Sequence, residues 1–292
     1  MNENGLKDLN EEINKKPPTG LDKVKAVVVV LSGKGGVGKS TVSANLAAGL
    51  AMEGKRTGLL DVDVHGPSIP RLLKLTGSRP DMADGMLQPV EWHWNLSVMS
   101  IGFLLPGKDD AVIWRGPAKA GVIQQLAEQV GWGERDVLVV DCPPGTGDEP
   151  LSVLQIFADK AMAVIVTSPQ DVAVDDVRRS ITFCRQMSTP IIGIVENLSG
   201  FACPNCGTVH EIFSTGGGER LAAEAGVPFL GRIPIDPEVS RSGDDGDVFL
   251  AVASKSPSAV AFKNVISEVV KALDNPPAKP TPPIPSKKGA KE

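Results

Sequence analysis

Apolar residues along this chain gather into short unbroken runs, separated by longer stretches of helical periodicity. The runs fall at 26–31, 57–60, 96–101, 137–140, 161–167, 191–195 and 229–233. They are continuous rather than alternating, as expected of strands buried on both faces of a sheet. Apolar positions at helical spacing occupy 40–52, 118–130, 172–187 and 259–273. Strand alternating with helix predicts βαβ units, right-handed crossovers and a mostly parallel sheet with helices on both faces. No internal repeat of fixed period interrupts the pattern.

The ends depart from it. Residues 1–22 include Lys15-Lys16-Pro17-Pro18 and read as a flexible lead; residues 275–292 are rich in Pro and Lys and cannot sustain a helix. One folded domain is therefore expected over 23–274.

Composition sharpens this expectation. Of the 292 residues 41% are hydrophobic, yet aromatics make up 4% and tyrosine is absent, so Val, Leu, Ile and Ala must fill the core. A net charge of -5 argues against general nucleic-acid binding, which needs a basic face. No apolar run approaches the ~20 residues of a membrane span. The first residues are polar rather than a secretory signal, which points to the cytoplasm. There, the four cysteines at 142, 184, 203 and 206 are expected as metal ligands or buried thiols rather than disulfides.

The chemistry begins at Gly33-Lys34-Gly35-Gly36-Val37-Gly38-Lys39-Ser40. A β-branched run leads into it and a helical pattern from Thr41 leads out, the context that a phosphate-binding loop requires. Glycines let backbone N–H groups turn inward around phosphates, and the helix amino end favours negative charge. Lys39 is placed for the β- and γ-phosphates and the Ser40 hydroxyl for Mg²⁺. Lys34 is a second lysine inside the loop. This resembles the deviant Walker group of MinD, ParA, ArsA and the nitrogenase iron protein. In that group such a lysine reaches the partner's nucleotide across a dimer, filling the part of an arginine finger.

Two acids end predicted strands, where open α/β sheets bind ligands. Asp61 closes Leu59-Leu60-Asp61-Val62-Asp63 and should face the phosphate loop and the Mg²⁺ shell. The resemblance gives Asp63 the orienting of the attacking water. Asp141 closes 137–141 in a Walker B pattern, holding Mg²⁺ through water. Gly145-Thr146-Gly147-Asp148 then reads as a switch loop responsive to the γ-phosphate. By contrast, His93 between two tryptophans reads as packing, and Asp244-Asp245-Gly246-Asp247 as a solvated turn.

Phe201-Ala202-Cys203-Pro204-Asn205-Cys206-Gly207 has the form of a metal knuckle, with His210 close enough in sequence to be a third ligand. A complete tetrahedral site takes four ligands. A two-fold dimer would supply four thiolates, suited to zinc or to a [4Fe–4S] cluster.

With these residues in view the chain resembles the Mrp/ApbC family of ATP-dependent iron–sulfur cluster carriers. The likeness runs through the phosphate loop, Asp61-Val62-Asp63-Val64-His65-Gly66-Pro67-Ser68, Trp114-Arg115-Gly116-Pro117, Asp141-Cys142-Pro143-Pro144-Gly145-Thr146-Gly147-Asp148, Glu196-Asn197-Leu198-Ser199 and the cysteine pair. It implies a homodimer that binds ATP and Mg²⁺ and bridges one labile [4Fe–4S] cluster through Cys203 and Cys206. Apo iron–sulfur proteins would be the acceptors and a cluster-assembly scaffold the donor, with no nucleic acid or membrane as partner. It also implies that Asn197 contacts the adenine, with Pro234 nearby. The alternative is a MinD- or ParA-like spatial regulator with a structural zinc knuckle. The former should end in an amphipathic membrane helix and the latter should offer basic DNA contacts; neither feature is seen here.

Overall fold

The computed structural model describes residues 19–93, 95–105, 116–203, 205–212, 214–252 and 255–281. Most of the lead, the end of the tail, Trp114, Arg115 and Pro204 therefore lie outside the described residues. In chain order the elements are β1 (Val24–Ser32), α1 (Lys39–Met52), β2 (Thr57–Asp61), α2 (Ile69–Leu72), β3 (Met82–Ala83), β4 (Met86–Leu87), β5 (Val90–Glu91) and β6 (Leu96–Ser100). There follow α3 (Gly116–Glu128), β7 (Arg135–Asp141), α4 (Asp148–Ile156), β8 (Ala161–Thr167), α5 (Asp171–Gln186), β9 (Ile191–Ala202) and β10 (Val209–His210). The chain continues through α6 (Gly217–Ala225), β11 (Phe229–Ile235), α7 (Pro237–Asp245), α8 (Phe249–Val252) and α9 (Pro257–Asp274).

Nine strands form one sheet in the order β10-β9-β8-β1-β7-β2-β6-β5, with β11 also paired to β9. The pairs among β9, β8, β1, β7, β2 and β6 are parallel, as is β11 with β9; at the edges of this sheet β5 and β10 run antiparallel to their neighbours. Val27, Val28, Val29 and Val30 of the central β1 are completely buried. That is the consequence of helices on both faces, and it is why the apolar runs do not alternate.

All seven apolar runs are strands, and the four helical stretches are helices whose ends differ from expectation by at most two residues. The largest departure is β9. Its apolar run was expected to stop near Val195, but the strand continues through Glu196, Asn197 and Ser199 to Ala202. Glu196 and Asn197 stay in the sheet because distant segments satisfy them, and Ser199 because it bonds to Glu196. Helices α4, α6 and α7 also exceed the sequence reading. Asp244 and Asp245 are the last turn of α7, which Gly246 ends at φ +75°, rather than a free turn. His93 is an exposed ring set edge-on against Trp92, with centroids 4.8 Å apart.

Gly58 in β2 separates packing from propensity. A Cβ there would lie 2.7 Å from Leu138 Cδ1 and 2.9 Å from the Trp132 ring, and Trp132 is fully buried. Strand propensity favours valine over glycine, whereas overpacking a dense core costs about 1–3 kcal/mol. Gly58→Val is expected to lower stability by that order; a denaturant midpoint at or above the wild-type value would show that the core yields.

Candidate active site and metal centre

Strand register assembles the phosphate end of the site. Val30 of β1 pairs with Asp141 of β7, and Asp141 pairs with Asp61 of β2, which pairs with Ser100 of β6. The carboxyl ends of the central strands thus stand level, and the 33–38 loop closes over them into α1. Asp141, fully buried, accepts from Lys39 Nζ at 2.7 Å, Ser40 Oγ at 2.6 Å and Ser43 Oγ at 2.7 Å. Burial alone would weaken the Lys39 proton, but the adjoining Asp141 carboxylate more than offsets it and the ammonium titrates above its ordinary value. The lysine remains a cation.

Asp61 sits deeper. It accepts from Ser100 Oγ at 2.9 Å and from the Asp63 N–H at 3.1 Å. Complete burial, with the charge of Asp141 beside it, pushes its carboxyl up to about 8. Asp61 therefore lies behind the cavity wall, while Asp63 is on the wall itself. That cavity, about 230 Å³, is lined by Lys34, Gly35, Gly36, Lys39, Ser40 and Asp63 among others. Val37 is buried beneath the loop. Gly33 is packed so closely that a Cβ would come within 2.4 Å of Asp176 Cβ.

A second cavity of about 390 Å³ continues from the first, sharing Gly38, Thr41, Ser68 and Leu72 with it. Asn197, Ile233, Pro234 and Asp236 also line it. A phosphate-sized space leading into a larger, mainly apolar one matches the shape of a nucleotide. At the junction Gly38 has φ +78°, and a Cβ on it would strike Asn197 Nδ2 at 2.2 Å. Asn197 Nδ2 donates to the Val37 carbonyl at 2.9 Å, so β9 is tied directly to the phosphate loop.

Glu196, one residue earlier, is wholly buried. Its carboxylate accepts from Ser199 Oγ at 2.6 Å, the Gly216 N–H at 2.9 Å and the Gly218 N–H at 2.6 Å, with Arg232 Nε at 3.5 Å. Two of these donors belong to the amino end of α6, where a carboxylate is favoured. No local pattern marks this group, because its backbone donors lie about twenty residues downstream. A further tie joins α3, α4 and the loop after β2: Lys119 Nζ donates to Glu149 Oε1 at 2.8 Å and lies 2.9 Å from His65 Nε2.

Between β9 and α6 a hairpin carries the cysteine pair. Cys203 is half-buried and Cys206 exposed. The Thr208 hydroxyl and amide beside Cys206 hold its thiol below the ordinary range, which favours the metal-binding thiolate. Cys142 and Cys184 are elsewhere, both buried. Burial raises both thiols, that of Cys184 to about 12. Among the described residues, Cys203 and Cys206 together with His210 make a group of three side chains able to hold one metal ion.

The loop, its lysines, the Ser40–Asp141 pair and the parallel sheet together define a P-loop NTPase of the deviant Walker type. The donors present fit Mg²⁺·ATP: a hydroxyl and carboxylates for a hard cation, a lysine and turned-in amides for phosphate. Residues 23–270 match the ParA family described as the NUBPL iron-transfer P-loop NTPase, and the chain belongs to that family. It is 48% identical to the cytosolic Fe–S cluster assembly factor NUBP2 of Bos taurus over 257 residues, which cover 87% of this chain and 95% of that protein. The Trichoplax adhaerens NUBP2 homologue is 50% identical, covering 85% and 95%. Among solved structures, a nucleotide-binding protein of Archaeoglobus fulgidus in complex with ADP, in which cobalt was found, is 41% identical with TM-score 0.72, covering 83% and 93%. The cell-division ATPase MinD of Pyrococcus furiosus, 22% identical with TM-score 0.63 over 85% and 99%, shares the fold.

The Asp61 environment predicts a pH effect. Its carboxyl holds a proton more tightly folded than unfolded, where the ordinary value is 3.8. The stability it contributes is complete below that value and is lost as pH rises through about 8. Asp61→Asn should therefore flatten the fall in melting temperature across this window. Parallel wild-type and variant curves would mean that the carboxyl titrates normally.

Proposed function

We propose that this chain is an ATP-driven iron–sulfur carrier. A homodimer hydrolyses ATP with Mg²⁺ and holds a labile [4Fe–4S] cluster, its cargo, between the Cys203 and Cys206 pairs of two subunits, then passes it to apoproteins in the cytosol. The observation that carries this reading is the connection through β9. One strand bonds to the phosphate loop at Asn197 and ends at Ala202, next to Cys203, so a single strand links the phosphate loop to the thiol hairpin. The names of the related NUBP2 proteins, cytosolic Fe–S cluster assembly factors, support it. The likeness to MinD extends to fold alone, and a spatial regulator would have no use for the exposed thiols.

In this reading residues 23–274 work as one domain. Lys39 and the amides of Gly35, Gly36, Val37 and Gly38 hold the phosphates, Ser40 and Asp141 hold Mg²⁺, and Thr41 follows at the start of the helix. Asp61 braces Asp63, which orients water. Asn197 and Pro234 flank the adenine. Lys34 crosses to the other subunit's nucleotide, where its cation offsets the charge that develops on the phosphates. A difference in dimer geometry between nucleotide states then becomes a difference in affinity for the cluster.

Two experiments test it. Anaerobic reconstitution with iron and sulfide should give a broad thiolate-to-iron absorption and about four irons per two chains, lost in Cys203→Ala; a wild-type chain that keeps only zinc would refute the carrier. Lys34→Ala should retain ATP binding but lose hydrolysis by roughly 10³-fold or more. Mixing it with an Asp63→Ala chain should restore part of the rate, because one site of the mixed dimer then has both groups. A mixture as inactive as its parents would place Lys34 in its own site.

A further inference from the structure

The hairpin that carries the thiols brings a third ligand to them within the same chain. β10 pairs antiparallel with the end of β9, Val209 opposite Ala202 and His210 opposite Phe201. The Cys203 N–H donates to the Thr208 carbonyl at 2.9 Å, continuing that register. Side chains opposite one another in an antiparallel pair share a face, as do residues two apart. Cys203 and His210 are therefore diagonal neighbours on one face. Val209 is on the other, its Cγ1 2.8 Å from where a Gly200 Cβ would stand.

The turn completes the set. Gly207 adopts φ +72°, which a side chain would resist. Its N–H donates to the Cys203 carbonyl at 2.8 Å, drawing Cys206 back toward the strand pair. Cys206 Sγ then lies 3.3 Å from the Thr208 hydroxyl. As a result the two sulfurs and a ring nitrogen of His210 all lie within 4.8 Å of one another. Metal–sulfur bonds of ~2.3 Å and metal–nitrogen bonds of ~2.0 Å in a tetrahedron need ligand separations of about 3.5–3.8 Å. Small side-chain rotations cover the difference, and Cys206 and His210 are exposed and free to make them.

We propose that Cys203, Cys206 and His210 of a single chain form a mononuclear site for a borderline-soft divalent ion such as Zn²⁺ or Fe²⁺. Two thiolates and an imidazole with an open fourth position suit such an ion and discriminate against Mg²⁺ and Ca²⁺. The proposal shares with the carrier reading only the premise that the cysteine pair binds metal; it requires neither a cluster nor a dimer. It does distinguish the two ligand sets. A lone chain offers three ligands to one ion, whereas two hairpins meeting across a two-fold axis offer four thiolates and leave His210 aside.

Anaerobic titration of the full chain with Co²⁺ in excess Mg²⁺ tests it, comparing wild type with His210→Ala and His210→Cys. Cobalt at the phosphate site would have oxygen ligands and no sulfur-to-metal charge transfer, so the thiolate-bound fraction can be read alone. The expected result is one thiolate-bound cobalt per chain with intense tetrahedral d–d bands. His210→Ala should weaken binding by about tenfold or more, since losing even an outer-shell partner of a ligand costs that much, and change those bands, and His210→Cys should restore tight binding. One cobalt per two chains with a spectrum indifferent to His210→Ala would overturn the proposal, as would the absence of any charge-transfer band. Such failure is distinguishable from failure of the carrier reading, which rests on iron and sulfide retained by the wild-type dimer.

Discussion

A carboxylate buried at the end of a central strand must find cations or hydroxyls, and Asp141 finds three donors on the first two turns of α1. This requirement organises the phosphate end of the molecule. Lys39, Ser40 and Ser43 can converge on Asp141 only if the helix begins beside the strand, and it begins there only because the glycine loop turns so tightly. The same contact keeps Lys39 charged in a buried place, where desolvation alone would favour the neutral amine. A group that serves phosphate must stay a cation, and its strand-end partner ensures that.

Asp61 pays the opposite penalty. Level with Asp141 in the adjacent strand, it meets burial and a like charge at once, and two ionised carboxylates so close are unfavourable without a cation between them. The Lys39 ammonium, bound to Asp141, offsets part of that repulsion. Two acids that look alike in sequence thus differ in environment: Asp141 is met by an ammonium and two hydroxyls, whereas Asp61 is met by a hydroxyl and backbone N–H groups and keeps its proton to higher pH.

The central strands could be read from sequence because burial on both faces leaves an unbroken apolar run. Helices α1 and α5 could be read from their spacing, and the phosphate loop from its fixed spacing and flanking elements. What escaped depends on distant partners. The Gly216-Gly217-Gly218 run reads as loop, yet α6 starts there because Glu196 accepts from its free N–H groups. β9 carries polar residues through the sheet because Asn197 and Glu196 are bonded to segments far along the chain. α7 has a legible start, with Asp236 accepting from the Glu238 N–H and Pro237 in the first turn, but its polar body offers no apolar stripe. Local pattern reveals what is buried against generic neighbours; it is silent where one particular neighbour decides.

Glu196 has a consequence for how the thiol hairpin can change. The strand that leaves for the hairpin contains this carboxylate, and the helix that returns from it is fastened to the same two oxygens. The hairpin between, residues 203–210, is thus plugged into a socket whose Glu196 contacts come from residues before and after it. Extra residues in such a segment cost little, since loop-closure entropy grows only slowly with length. Knuckles of other lengths, or with other ligands, could be exchanged there while the nucleotide machinery keeps its shape.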